Sequence, residues 1–463
     1  MTKIFLAELN PLSWQGSFEM GGNRMDPISI GYVSSYLRSK GLETQIFQQR
    51  KEKDQEVVEL IRKSSPDYFG ISAMTCCVNH SLEIARELKK ALPRVKTIFG
   101  GYHPTGMPKI LEDPSVDFVV LGEGEEVCSN LISAVEGNNS LEGVASIGFK
   151  KNGRTVFTPR AERISNLDAL PFPDRYNLDE CSQGAPRIPI PKNQNAFSQV
   201  AWSRGCLHNC SFCNSPQMWE RQVYYRSAKN VADELEYLQT KFGTNAVFFT
   251  DLTFNEDREK VIELSEEIRK RSLDLKWSCS CRVTNDKEML EAMKQAGCVR
   301  IGFGIESLDD RILAQVGKGI TVRQVRECIE TTNQVGIITR GYYMVGYPNQ
   351  TQRDIDNFRD SVTSIPLDQI RISFLTPFPG TASFRSLQRR GAVVDNNLDH
   401  YDCDSHYVLK GKLSESELTV VRRELYKKFY SDSHYRERIK TKSKRFPELA
   451  AAYNELSAQV SRL

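Results

Sequence analysis

No stretch of this chain reaches 18 consecutive apolar residues, which excludes a helix of the length and character needed to span a membrane. Nor is there a surplus of one charge. The chain has 62 Lys and Arg against 59 Asp and Glu, a net charge of +3, too little for a dedicated nucleic-acid surface. The most basic stretch, residues 436–445, is broken by Glu437 and by Ser and Thr, and reads as a solvated helix end. An export signal is missing as well. The opening Met-Thr-Lys-Ile-Phe-Leu-Ala-Glu-Leu has an apolar run too short, and too soon interrupted by Glu8, for a signal peptide; it reads as a short strand. Twelve cysteines without such a signal point to the reducing cytoplasm and away from disulfides.

What is present is an ordinary globular composition, 40% hydrophobic and 26% charged. A length of 463 residues suggests two or three domains. From 1 to about 140, short apolar strands at 3–8, 43–47, 68–72, 97–99 and 118–121 alternate with helical periodicity at 28–38, 55–63, 81–92 and 125–136. That alternation predicts a doubly wound, Rossmann-like parallel sheet. Ligands of such sheets sit beyond the carboxyl ends of the strands. The loops there are distinctive: 10–27 with Gly21-Gly-Asn-Arg24, then Ser72-Ala-Met-Thr75, Gly100-Gly-Tyr-His-Pro-Thr105 and Gly122-Glu-Gly-Glu125. Glycines there allow close approach to a bulky ligand, although they also end strands for steric reasons alone. Asn152-Gly153 marks a hairpin over 144–160. A proline-bearing linker follows, with Leu170-Pro-Phe-Pro173 and residues 186–191, and the domain boundary is placed in it.

Six further strands are expected at 199–203, 246–251, 276–283, 300–306, 340–345 and 369–375, with helices between them. The first leads into Arg204-Gly-Cys-Leu-His-Asn-Cys-Ser-Phe-Cys-Asn214, in which Cys206, Cys210 and Cys213 have the spacing C-x3-C-x2-C. Three thiolates on one tight loop can hold three irons of a [4Fe–4S] cluster and leave the fourth iron open. A structural zinc site would need a fourth ligand, and no second pair at zinc-ribbon spacing follows. Among the remaining cysteines, Cys76, Cys77, Cys279, Cys281, Cys298 and Cys328 read as buried small hydrophobes.

The triplet, at the head of a run of six β/α units, resembles the radical S-adenosylmethionine (radical SAM) superfamily. Six units are too few for an eight-fold barrel and fit the open barrel those enzymes use. The resemblance implies that the open iron is chelated by the amino and carboxyl groups of S-adenosylmethionine (SAM). One electron then cleaves SAM to methionine and a 5′-deoxyadenosyl radical. It also implies SAM contacts at Phe212, at Asp251 (ammonium), Arg282 (carboxylate) and Glu306 in Gly302-Phe-Gly-Ile-Glu-Ser307 (ribose), with residues 343–348 near the adenine. Asp251 could instead cap a helix, and Arg282 and Glu306 could pair with each other or with neighbours.

Over nearly the whole chain the pattern is similar to the cobalamin-binding-domain branch of that superfamily. The expected architecture is therefore α/β: a Rossmann-like domain over 1–140, a hairpin and linker over 141–195, a partial (β/α)6 barrel over 196–380 and a helical cap on the barrel mouth over 381–463. The branch implies cobalamin at Ser72, Thr75, Gly100, Gly101, His103, Gly122, Glu123 and Gly124. No Asp-x-His-x-x-Gly motif offers a cobalt ligand, and some members keep the fold without the corrinoid. The expected reaction is cobalamin-dependent methylation of an unactivated carbon in a small molecule. Electrons would come from a donor such as flavodoxin or ferredoxin, with no nucleic-acid or membrane partner. Dehydration, epimerisation or ring closure without cobalamin stays open, as does methylthiolation of tRNA. Substrate choice is expected from the mouth loops and from Tyr401, Asp402, Asp404 and His406.

Overall fold

The computed structural model describes residues 1–10, 26–176 and 197–445. The long loop after the first strand and the prolines at 186–191 fall outside them. Two large sheets and one two-stranded ribbon hold the strands of the described residues.

The first has seven strands in the order β2-β1-β3-β4-β5-β6-β7: β1 Lys3–Glu8, β2 Glu43–Gln48, β3 Tyr68–Ser72, β4 Lys96–Gly100, β5 Phe118–Val120, β6 Ile147–Lys151 and β7 Arg154–Phe157. The first five are parallel. Period-two alternation sorts their apolar residues to two faces. Phe5, Phe69, Phe99 and Val119 pack with Val57, Ile61, Ile84 and Leu88 of helices Asp54–Ser64 and Val78–Ala91. Ile4, Leu6, Ile98 and Val120 pack with Leu37 and Leu131 of helices Ile28–Ser39 and Glu125–Glu136 on the other side. The chain leaves β1 for β2 on one side and returns to β3 on the other, so the switch point opens between β1 and β3. One boundary is corrected. The hairpin β6–β7 does not belong to the linker but pairs antiparallel onto β5, so a limit at residue 140 cuts a continuous sheet. Pairing there covers an otherwise open edge.

The second sheet has six parallel strands in the order β8-β11-β12-β13-β14-β15: β8 Phe197–Val200, β11 Ala246–Phe249, β12 Lys276–Cys281, β13 Cys298–Glu306, β14 Ile338–Val345 and β15 Gln369–Phe374. Between β8 and β11 lies a two-stranded ribbon, β9 Ser203–Gly205 and β10 Val223–Tyr225. Phe249, Trp277, Phe303, Tyr343 and Ile372 face the surrounding helices and form the largest core. Cys279, Cys281, Cys298 and Cys328 are buried in it, and Cys76 and Cys77 are buried in the other domain. Ser227, Asp257, Asp286, Thr321 and Thr351 cap the outer helices, each side chain accepting a backbone N–H of the first turn.

The C-terminal helices Glu415–Ser431 and Ser433–Arg445 do not cover the mouth, as the sequence suggested, but seal the barrel's edge strand. The Tyr426 and Tyr430 hydroxyls accept the N–H groups of Ile372 and Ile370 at 2.9 and 3.2 Å. An edge strand would otherwise leave those donors open. The irregular stretch 393–409 is what crosses the strand ends: Phe374 N–H donates to the Cys403 carbonyl (2.7 Å) and the Tyr407 hydroxyl to the Gly346 carbonyl (2.7 Å).

Candidate active site between the sheet and the barrel

The cysteine loop is anchored before it begins. Ser203 N–H and hydroxyl donate to the Asp251 carboxylate at 2.6 and 2.5 Å, and Trp202 N–H adds a third bond. Asp251 is thus spent on holding β9 and does not face open space. Its burial raises the carboxyl to about 6 despite these donors. Gly205 has φ +120, and a Cβ on it would lie 1.8 Å from the Gln222 carbonyl of the neighbouring turn, so no other residue fits directly before Cys206. The loop then folds on itself, Cys213 N–H donating to the Cys210 carbonyl at 3.0 Å. Each sulfur has a polar neighbour. Thr253 Oγ1 is 3.6 Å from Cys206, Arg282 Nη1 donates to Cys210 at 3.9 Å, and Ser215 N–H donates to Cys213 at 3.4 Å. Burial pushes the Cys213 thiol up to about 11, so a bound metal must displace its proton. Among the described residues, the three-ligand groupings tight enough for one ion do not include this triplet. Phe212, between Cys210 and Cys213, packs against the barrel core.

At the far strand ends, Arg282 and Glu306 do not pair with each other; both meet Lys318. The Lys318 ammonium donates to Glu306 Oε1 at 2.7 Å, and Arg282 donates to the Lys318 carbonyl. Glu306 sits at a register shift in β13 with φ +71, a strained conformation for a non-glycine residue. The glycines of Gly302-Phe-Gly-Ile-Glu have a steric cause. A Cβ on Gly304 would lie 2.6 Å from Lys318 Nζ and 2.8 Å from Glu306 Oε1, and one on Gly302 would meet the Tyr342 ring at 2.6 Å. Gly304→Ala should therefore push the buried pair apart and cost about 1–3 kcal/mol of stability, measured by urea unfolding. Lys318 escaped the sequence reading. Its flanking glycines, both at φ +69, were the available signal. Tyr343, placed near the adenine from sequence, points the other way into the core against Phe358.

The glycine loops of the first sheet face this barrel. A cavity of ≈ 640 Å³ runs between them. Ser72, Gly100, Gly101, Gly122, Glu123 and Gly124 line one wall; Gln199, Ser203, Arg204, Gly205, Phe248 and Thr250 line the other. A slot continues into the first domain between the sheet and its helices, past Leu6, Gly70, Ile98, Val120, Val33 and Cys128. Thr75 and His103 do not reach the cavity. They are buried behind it, 3.3 Å apart, and burial drops His103 to about 4, so its ring is neutral. Glu123 is engaged in joining the domains. Its carboxylate takes Arg204 (3.0 Å) and Ile164 N–H (3.0 Å), while Glu125 takes the second arm of Arg204 at 2.6 Å. Arg163, stacked between Trp219 and Tyr224, completes the joint. Arg204 immediately precedes the cysteine loop, so these ion pairs set that loop's position relative to the first sheet.

Comparison with known proteins agrees with this division. The radical SAM superfamily model matches residues 200–362, and the B12 binding domain model matches residues 21–132. An uncharacterised methyltransferase of Pyrococcus horikoshii is 28% identical over 88% of this chain and 88% of its own length. The anaerobic magnesium-protoporphyrin IX monomethyl ester cyclase of Rubrivivax gelatinosus is 28% identical over 94% of this chain and 79% of its own. In fold, the radical SAM methyltransferase TsrM of Kitasatospora setae superposes with a TM-score of 0.70 at 18% identity, covering 85% of this chain and 76% of that one. The cobalamin-dependent radical enzyme OxsB superposes with a TM-score of 0.75 at 16% identity, covering 98% and 72%. The family's cofactors are a [4Fe–4S] cluster, SAM and cobalamin, and the residues here fit them. The triplet offers three thiols on one loop, two of which accept hydrogen bonds, from Arg282 and from the Ser215 N–H. The slot between sheet and helices is lined by Leu6, Val33, Gly70, Ile98 and Val120, a largely apolar surface against which a bulky ligand's tail would fit. With both family models matched on their own sheets and one cavity joining the two, this chain carries a radical SAM domain and a B12-binding domain, the combination expected of the cobalamin-binding-domain branch of the radical SAM superfamily.

Proposed function

We propose that this chain methylates an unactivated carbon of a small molecule. The observation that carries the reading is the single cavity, which has the root of the cysteine loop on one wall and the glycine edge of the first sheet on the other. A substrate held there would lie between the two cofactor sites. When bound, the cluster and SAM supply a hydrogen-abstracting 5′-deoxyadenosyl radical. Cobalamin supplies the methyl group.

The protein's own part is to hold, orient and exclude water. Cys206, Cys210 and Cys213 would ligate three irons, with Arg282 and the Ser215 N–H donating to sulfur. Glu306, fixed by Lys318, would accept hydrogen bonds from SAM hydroxyls, and Arg282 would meet its carboxylate. Asp251 has a positioning role through Ser203. On the first sheet, Ser72, Gly100, Gly101, Gly122 and Gly124 would give the corrinoid close backbone approach, while Glu123 keeps Arg204 and the cysteine loop in place. An electron donor of flavodoxin or ferredoxin type would reduce the cluster.

Cobalamin uptake tests this reading. The protein is purified anaerobically, its cluster is rebuilt, hydroxocobalamin is added, and the desalted sample is examined by visible spectroscopy. Stoichiometric corrinoid is expected, followed by transfer of labelled methyl from SAM to product. The similarity to a ring-forming cyclase favours a second reading, ring closure after the same hydrogen abstraction. Formation of 5′-deoxyadenosine without labelled product would select it.

A further inference from the structure

The cysteine loop also shows a face to solvent. Leu207, between Cys206 and Cys210, is 48% exposed, and Asn209 is exposed beside it. Neither side chain is needed to hold a cluster. Three segments close around this face. Arg221 Nε donates to the Leu207 carbonyl at 3.3 Å. Ser211 N–H donates to the Val316 carbonyl at 3.1 Å, which brings up the exposed Ala314, Gln315 and Gly317. Ser383 N–H donates to the Ser211 carbonyl at 2.8 Å and its hydroxyl to the Ser211 hydroxyl at 3.0 Å, which seats the first turn of helix Ala382–Arg389 on the loop. That helix buries Phe384 and Leu387. It turns Ala382, Arg385 and Arg389 outward, at the i, i+3 and i+7 positions of one face, and exposed Arg390 follows.

The charge on this surface is positive. Among the described residues, the side chains of Arg221, Arg385 and Arg389 bond to the carbonyls of Leu207, Gly380 and Arg385 and to no carboxylate. Glu220, next to Arg221, is taken by Arg160 at 3.4 Å, and Glu256 faces His208 at 3.2 Å. The outcome is a small neutral centre on the cysteine loop with arginines on two flanking segments. A cluster supplied with single electrons needs a carrier that docks close to the sulfurs and then leaves. Interfaces of that kind are small and weak, and charge steers them. An exposed leucine gives such an interface an apolar contact to bury. Exposed arginines attract an acidic partner from a distance, and salt screens that attraction.

We propose that this face is the docking surface for an acidic one-electron carrier protein, of the flavodoxin or ferredoxin kind, with Leu207 at its centre and Arg221, Arg385 and Arg389 as its charged rim. The carrier is oxidised by one electron, the cluster is reduced by one, and no bond forms or breaks. The proposal rests on the radical SAM reading and adds where, and by what charge, the reductant is recognised.

Binding is measured first, without turnover. The cluster-rebuilt protein is titrated calorimetrically with oxidised flavodoxin, and in parallel with an acidic ferredoxin, at about 50 mM and about 300 mM salt. At least one carrier should bind saturably, about tenfold or more weaker at the higher salt. The double variant Arg385→Glu, Arg389→Glu should weaken that binding by about tenfold at low salt and flatten its salt dependence. Formation of 5′-deoxyadenosine driven by the reduced carrier should fall in parallel. Formation driven by dithionite should keep the wild-type rate, because a small reductant does not need the surface. Melting temperature is recorded, and the wild-type salt dependence decides even if the variant misfolds. Absent or salt-insensitive binding of both carriers by the wild type would overturn the proposal, as would wild-type affinity in the double variant. So would equal losses with carrier and dithionite, because the arginines would then be structural. Self-association of the wild type in light scattering, abolished in the double variant, would give the face to a second copy of the chain and overturn it too. The underlying reading fails separately, by absence of 5′-deoxyadenosine from SAM under dithionite in the wild type.

Discussion

Cys206→Ala, Cys210→Ala and Cys213→Ala should each abolish cluster assembly and reductive cleavage of SAM. Each cysteine would hold one iron, and among the described residues no other cysteine lies in the loop. Cys279, Cys281, Cys298 and Cys328 are buried in the barrel core. Cys76, Cys77 and Cys128 belong to the first domain. His208 lies inside the loop and contacts Glu256 at 3.2 Å, where burial lowers it to about 4, so it stays neutral near pH 7. It shares with Cys206 and Glu256 a grouping whose ligand atoms lie within 4.8 Å of one another. Iron and sulfide content, the broad visible absorption of the cluster, and 5′-deoxyadenosine formation with a chemical reductant are the three readouts. A single alanine variant that still produces 5′-deoxyadenosine would remove the assignment.

Arg175→Met should lower global stability by about 3–5 kcal/mol, the cost of breaking a buried ion pair from one side. Arg175 is buried at the junction of the domains. It donates to Asp26 of the first domain at 2.8 Å, to the Gln199 carbonyl of β8 at 2.7 Å, and to Glu234 of the barrel helix Ala228–Phe242. Asp26 and Glu234 have fully buried side chains. Glu234 keeps a second partner, Arg226, so most of the cost falls on Asp26. Burial already raises the Asp26 carboxyl against the pull of Arg175. Without that arginine it would stay protonated to still higher pH. The double variant Arg175→Met with Asp26→Asn should recover part of the loss, because it removes the stranded charge as well. Urea unfolding of the three proteins measures this. The single variant should also retain less corrinoid, since Asp26 and Gln199 both line the cavity. Equal stability of Arg175→Met and wild type would show that the junction bears no load.

Much of the architecture was legible because five strands of the first sheet and all six of the second are parallel and pack against helices. Such strands read as short apolar runs such as Lys-Ile-Phe-Leu-Ala and Arg-Ile-Gly-Phe-Gly-Ile, separated by amphipathic helices. The cysteine triplet was legible because its ligands are local in sequence. Other features were not. Asp251 ends a strand as a cofactor contact would, yet its carboxylate turns back to Ser203, 48 residues away in sequence. Thr75 and His103 lie in loops of the right kind but bond to each other behind the cavity. Lys318 comes from the turn after the short helix Asp310–Gln315, with no feature beyond two glycines, and only folding brings it between Glu306 and Arg282.

The sequence alone determined which elements form, where the cluster loop lies and which family it indicates, because periodicity and ligand spacing act over a few residues. The tertiary structure alone decided that Glu123, Glu125, Arg163 and Arg204 knit the sheet to the cysteine loop. It also decided that the C-terminal helices seal an edge, and that helix Ala382–Arg389 sits on the cysteine loop. Those outcomes depend on strand register and domain packing, which join residues tens to hundreds of positions apart. The free energy of such contacts is set by burial and by the charge across the gap, and neither is written in any local stretch of the chain.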